Sequence, residues 1–408
     1  MFRDLAKLAV RRNFGKSDIA LRVIFSDGSV FATSVASASE TEVTVRFLHP
    51  RAERMFVLEG GVGFVEAFHQ GLLCISDEEF EVLIDHCRGI YVGARSPFLV
   101  RLRRFFHEIS VSNKDWGQAR RNAAFHYGYP ARFFELVLGS TYGYVEGYWR
   151  RGDETLDEAM RNRFDYMCRK LYLKPGMKVA EVGSGWGYMT NLMARDHHVE
   201  VDTFGIVDNQ NRALVSMASA WGVQDKVHLI EEDHRALAAR PDLYDRYVSL
   251  GVLEHAGRNC DAAWIDSIKT CLKPGGIGLL SVMTYNAPQE TDFITQKYIF
   301  PGGHIPHIAR VVDLLESRGL CIIDLENARR QYARAAASWL QNFKTNWDKI
   351  RAIDPSIFNE RFRRTWFVYL MGASTAFASQ DAHLSVQQIV FSKGRHCDYP
   401  LTRNFLYQ

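Results

Sequence analysis

Between Lys178 and Thr284 five apolar runs of strand length alternate with helical patterns, and this alternation constrains the fold more than any other feature. The runs are KVAEVGSG from Lys178, VEVDTFGIVD from Val199, KVHLIEED from Lys226, YDRYVSLGV from Tyr244 and GIGLLSVMT from Gly276. Strands separated by helices pair in parallel, because each helix carries the chain back across the sheet. CIIDLEN from Cys321 and LSVQQIVFSK from Leu384 are two further strand candidates. The expectation is an α/β fold: a doubly wound, mostly parallel seven-stranded sheet. The mostly helical, aromatic-rich stretch at about 285–383 is then an insertion that covers a site.

The first third reads differently. LRVIFSDGSVFAT is a hairpin pattern turning at Ser26-Asp27-Gly28, and TEVTVRFLH and VGFVEAF continue a β-rich reading. Asp77-Glu78-Glu79 opens a helix with Ser76 as its N-cap. Residues 1–110 are therefore expected to form a small α+β accessory domain, and 111–408 the larger one. With 408 residues, 47% of them hydrophobic, the chain can fill both cores. A net charge of +3 gives no sign of a nucleic-acid partner. Seven scattered cysteines without a CxxC pair suggest neither disulfides nor structural zinc, which points to a reducing cytoplasm. No run of eighteen apolar residues is present. The stretch Pro97–Phe106 mixes Phe and Leu with Arg101, Arg103 and Arg104, a pattern that suits either a membrane headgroup layer or an ordinary packed helix.

The first of the five strands ends in Glu181-Val182-Gly183-Ser184-Gly185-Trp186-Gly187. Glycines there let a ligand approach the backbone, and the following helix offers free N–H groups. The next strand ends at Asp208-Asn209, where an acceptor could take ribose hydroxyls. The third ends at Asp233-His234, an acid for an adenine amino group beside a flat ring. Three such features at successive strand ends favour a nucleoside-bearing cofactor over plain turn chemistry.

LYLKPGMKVAEVGSGWGYM resembles the cyclopropane fatty acid synthase and mycolic acid cyclopropane synthase family. So do His126-Tyr127, the GYW ending at Trp149, Leu253-Glu254-His255, the run Tyr298–Pro306 (YIFPGGHIP), and the pattern from Arg361-Phe362 through Tyr369-Leu370 to QQIVFSK. The likeness covers roughly 120–395. It implies S-adenosylmethionine as methyl donor, bound around Tyr127 and the three strand ends, and an unsaturated fatty acyl chain, as on a phospholipid, as acceptor. Such an enzyme would work as a peripheral protein at the inner face of a membrane; a homodimer stays open.

Methyl transfer to an alkene leaves a carbocation, so the site must exclude water, stabilise positive charge and hold a base. Tyr144, Tyr148, Trp149, Tyr298, Phe300 and Tyr332 are aromatic candidates for the charge. Family members hold a bicarbonate ion as the base, through a Cys, a Glu, a His and a Tyr. The resemblance carries the Glu to Glu254 and the Tyr to Tyr332. It puts Glu146 at the Cys position and Ser281 at the His position. Two carboxylates would repel a bicarbonate, so Glu146 itself is the expected base, the alternative being an ion-pair partner for an arginine. A protein base at a new place favours a methyl-branched alkene over ring closure. Competing readings are ring closure itself, a methyltransferase for a small polar acceptor, and a lipid-binding relative without catalysis.

Overall fold

The computed structural model describes residues 2–14, 19–33, 42–91, 97–379, 383–395 and 397–407. They divide into two compact units, 1–110 with 347–375, and 111–346 with 376–408.

In the first unit four strands, β1 (Ala20–Ile24), β2 (Val30–Ala32), β3 (Glu42–Phe47) and β4 (Leu73–Cys74), form a sheet in the order β2-β1-β3-β4. β1 and β2 are the expected hairpin. VGFVEAF is not a strand. It lies in the helix Pro50–His69, which starts with Pro at its first turn and His49 accepting from the Arg51 N–H. Its buried positions Phe56, Gly63 and Ala67 follow helical rather than alternate spacing, so tertiary packing overrides the β propensity of Val and Phe. The helix Asp77–Tyr91 is capped as expected, Ser76 Oγ accepting from the Glu79 N–H and Glu79 accepting from the Ser76 N–H in return. Residues 347–375, read from sequence as covering the catalytic sheet, group with this unit. Phe367 meets Phe80 edge-on at 6.1 Å, and Arg363 pairs with Asp77 at 2.7 Å.

The second unit carries β5 (Lys178–Val182), β6 (Glu200–Phe204), β7 (Val227–Ile230), β8 (Tyr244–Leu250), β9 (Leu272–Tyr285), β10 (Leu320–Asn327) and β11 (Leu384–Lys393). Their order is β10-β11-β9-β8-β5-β6-β7. β5 through β9 pair in parallel, and β11 runs antiparallel between β9 and β10. All seven strands fall where the sequence pattern puts them. The strand order reverses between β5 and β8, and the carboxyl ends of strands at such a switch point leave a crevice. On one sheet face Val182, Tyr247, Leu280 and Ile389 pack against Trp264, Ile268 and Leu315 in a single buried cluster.

Candidate functional site

A cavity opens at the carboxyl ends of β5, β6, β7 and β8, lined by Gly183, Gly185, Gly205, Asp233 and Gly251. Gly185 has φ 55°, and a Cβ there would project into open space, so this backbone is bared to whatever fills the cavity. Gly187 serves packing instead. It caps the helix Tyr188–Asp196, does not line the cavity, and a Cβ would strike Leu214 at 2.6 Å. Glu181 reaches the cavity, but its carboxyl accepts from Thr190 Oγ1 and thereby ties strand to helix. Burial pushes it up to about 7.

At β6 the structure corrects the expected ribose acceptor. Asp208 begins the helix Asp208–Ala220, its side chain is 61% exposed, and it pairs with Arg120 at 2.6 Å outside the cavity lining. Helical phase turns Gln210 inward in its place. Asn209 is structural: its Nδ2 donates to the carbonyls of Tyr127 and Tyr129, at 2.6 and 2.9 Å. The sequence DNQN already held Gln210; what it lacked was the helix start that fixes which residue faces in.

At the third strand end Asp233 and His234 both reach the cavity. Asp233 lines the cavity, with its carboxylate accepting from the Arg235 N–H at 3.0 Å. His234 stacks on Trp264 at 4.1 Å, and burial drives it down to about 3, leaving a neutral, flat ring. Across the cavity the Tyr127 hydroxyl lies 3.2 Å from His255 Nε2, and burial lowers His255 to about 4. Glycine backbone, an acid and a stacked ring at successive strand ends suit an adenosyl group.

From this cavity an aromatic array runs inward. Tyr127 meets Trp186 and Tyr144, Tyr144 meets Trp339 at 5.2 Å, and Trp339 meets Tyr332, which lies 4.2 Å from Phe377. Phe300 joins it through His126, 4.2 Å away. Tyr148 is engaged elsewhere, stacked on Tyr166 at 4.5 Å, and so is Trp149, whose indole donates to the Glu154 carbonyl.

Beside the array lies a buried polar centre. Glu146 is 1% exposed, and its Oε1 accepts from Arg163 Nη2 at 3.1 Å, Ser281 Oγ at 3.0 Å and Gln388 Nε2 at 2.8 Å. Arg163, on the helix Leu156–Lys170, is wholly buried; burial lowers its pKa while Glu146 pulls it back up. Ser281 and Gln388 are cross-strand partners on β9 and β11, which is why both reach one oxygen. Glu254 is different. Its Oε1 accepts from the Met283 N–H, and its buried Oε2 has no partner among the described residues. Burial first, then the nearby Glu146, pushes Glu254 up to about 7. The expectation of Glu146 as a free base is therefore corrected: it is the arginine's ion-pair partner, and the open carboxyl oxygen belongs to Glu254. Neither Arg163 nor Gln388 was picked out from the sequence.

A bicarbonate ion does not fit these residues. Arg163 Nη2, Ser281 Oγ and Gln388 Nε2 already serve the Glu146 carboxylate, and although Arg163 Nε and Nη1 have no partner among the described residues, the anion would lie between two carboxyl groups, Glu146 and Glu254. Among the described residues no group of His, Cys, Asp and Glu could hold a metal.

Sheet order, glycine-lined cavity and stacked ring together define an S-adenosylmethionine-dependent methyltransferase. The family model for mycolic acid cyclopropane synthetase matches residues 114–389, and the chain belongs to that family. A probable fatty acid methyltransferase of Pseudomonas putida is 30% identical over 70% of this chain and 73% of its own length. The cyclopropane-fatty-acyl-phospholipid synthase of Escherichia coli K12 is 30% identical over 66% of this chain and 67% of its own. Among solved structures, mycolic acid cyclopropane synthase CmaA1 complexed with SAH and CTAB shares the fold with a TM-score of 0.61, at 24% identity over 67% of this chain and 98% of that one.

Proposed function

We propose that this enzyme methylates the double bond of an unsaturated fatty acyl chain of a phospholipid, and that its product is a methyl-branched, still unsaturated chain. The observation that carries the reading is one unpartnered, buried carboxyl oxygen, Glu254 Oε2, beside an aromatic array that extends the cofactor cavity. S-adenosylmethionine, when bound, supplies an electrophilic methyl group. The rings of Tyr144, Phe300 and Tyr332 then face the positive charge left on the acyl chain and keep water out. Glu254, poised near neutrality, takes the proton lost last; a base with a pKa close to the working pH is the effective one. Glu146 acts through others. Arg163 holds its carboxylate in place, and with Ser281 and Gln388 it shapes the wall next to Glu254. An acceptor of small polar type is disfavoured by the apolar character of that array.

Glu254→Gln keeps the shape and removes the base. Turnover should fall by about 10²–10⁴-fold while S-adenosylmethionine binding, followed by calorimetry, persists. With a methyl-labelled donor the product should keep all three methyl hydrogens. A product with two would mean that the proton leaves the new methyl and a ring closes, and undiminished turnover in Glu254→Gln would remove Glu254 from the chemistry.

A further inference from the structure

The helix Phe98–Ser110 of the first unit is built inside out. At 3.6 residues per turn, Phe98, Leu99, Leu102, Phe105, Phe106 and Ile109 fall within an arc of about 120°. All six are exposed, between 40 and 73%. Opposite them Val100 is fully buried, and at one flank of the arc Arg103 pairs with Glu59 and with the buried Glu66, at 2.7 Å for the latter. Folding normally sends the apolar arc of an amphipathic helix to the core and its arginines to water. Here Val100 and the flanking Arg103 make the internal contact, so the apolar arc is held outward.

We infer that this arc is a membrane-docking surface that seats the helix in the headgroup layer of a phospholipid bilayer. Size argues against a second copy of the chain as occupant. Thirteen residues span about 20 Å, and at a width of about 10 Å such a face offers roughly 200 Å² per partner, against about 800 Å² in a standard interface. A bilayer needs no complementary protein surface, only side chains that enter it, and two adjacent phenylalanines with Leu102 and Ile109 along one line supply them. Charge agrees: Arg101, exposed at one border of the arc, can meet anionic phosphates. Arg103 cannot serve in that role, because its guanidinium is taken by Glu59 and Glu66. The arginine cluster is thus divided in function, and the apolar residues lead. The inference rests on the acyl-chain reading to the extent that such a substrate lies in a bilayer.

The test uses the full chain and vesicles of phosphatidylethanolamine with phosphatidylglycerol, in unsaturated and in fully saturated versions. Wild type should sediment with both, since docking reads the surface and not the double bond. F105S/F106S should lower the vesicle partition at least ~10-fold. Its S-adenosylmethionine binding and its turnover of detergent-dispersed lipid should stay at the wild-type level. R101E should weaken binding to these vesicles and leave binding to vesicles of phosphatidylethanolamine with phosphatidylcholine unchanged. Undiminished sedimentation of F105S/F106S overturns the inference. So does a wild-type dimer in analytical ultracentrifugation that dissociates in F105S/F106S with vesicle binding intact, which would assign the face to a second copy. Because sedimentation is read without turnover, failure of the acyl-methylation reading would show separately, as no product from any lipid.

Discussion

Replacing one carboxylate in the buried centre has consequences set by its partner rather than by its own chemistry. Glu146→Gln leaves the Arg163 guanidinium buried without a counter-charge, and breaking a buried pair from one side costs about 3–5 kcal/mol. The expected result is a large drop in the denaturation midpoint. Arg163→Met in the same chain should restore much of it, since a pair replaced by apolar groups of similar volume is often neutral. Equal stability of Glu146→Gln and wild type would show that Arg163 finds another partner. The sequence disclosed half of this arrangement: the family pattern singled out positions 146, 254, 281 and 332. It could not disclose Arg163, which lies 17 residues along on another element, nor Gln388, which reaches Glu146 only through the β9–β11 register. The same limit misplaced Asp208, where two residues of helical phase decide which side chain faces the cavity.

Among the elements, strands that follow a simple period were legible and the long helix Pro50–His69 was not. Its second half looks like a strand because Val62, Phe64 and Val65 have high β propensity. A kink hides the helical period as well: Gly60 has φ 59°, a conformation costly for other residues. Past that kink the backbone approaches itself closely, and a Cβ on Gly63 would lie 2.0 Å from the Met55 carbonyl oxygen. Gly63→Ala should therefore destabilise the first unit by about 1–3 kcal/mol, read as a lower denaturant midpoint. A neutral effect would mean that the kink opens freely. The helix Phe98–Ser110 was legible as amphipathic, but its sense was not, because periodicity reports a face without saying which way it points.

On the scale of the whole molecule, buried ionisable groups oppose one another across pH. His126, His234 and His255 are held neutral by burial, so the stability they contribute is lost as pH falls below about 6.5. Glu181 and Glu254 are raised to about 7, so their contribution is complete below 4.5 and lost as pH rises to about 7. Stability should peak near neutrality. Glu254→Gln removes one of the two alkaline-side losses, and between pH 5.5 and 7.5 it should lose less stability than wild type in chemical denaturation. Parallel curves would show that Glu254 is not raised. The first stretch of the first unit ends at residue 110, before the strand–helix alternation begins. The return of 347–375 to the first unit was not legible in the sequence, since a helical aromatic pattern does not name its neighbour.

The carboxylate of Glu146 is part of the chain, and that changes what can regulate the enzyme. A site that borrows its anion from solution responds to the supply of that anion and so to dissolved carbon dioxide. Here the negative group is present from the moment of synthesis, in fixed proportion to its arginine. The expected outcome is an unchanged rate in carbon-dioxide-stripped buffer, and a rate that rises with added bicarbonate would overturn it.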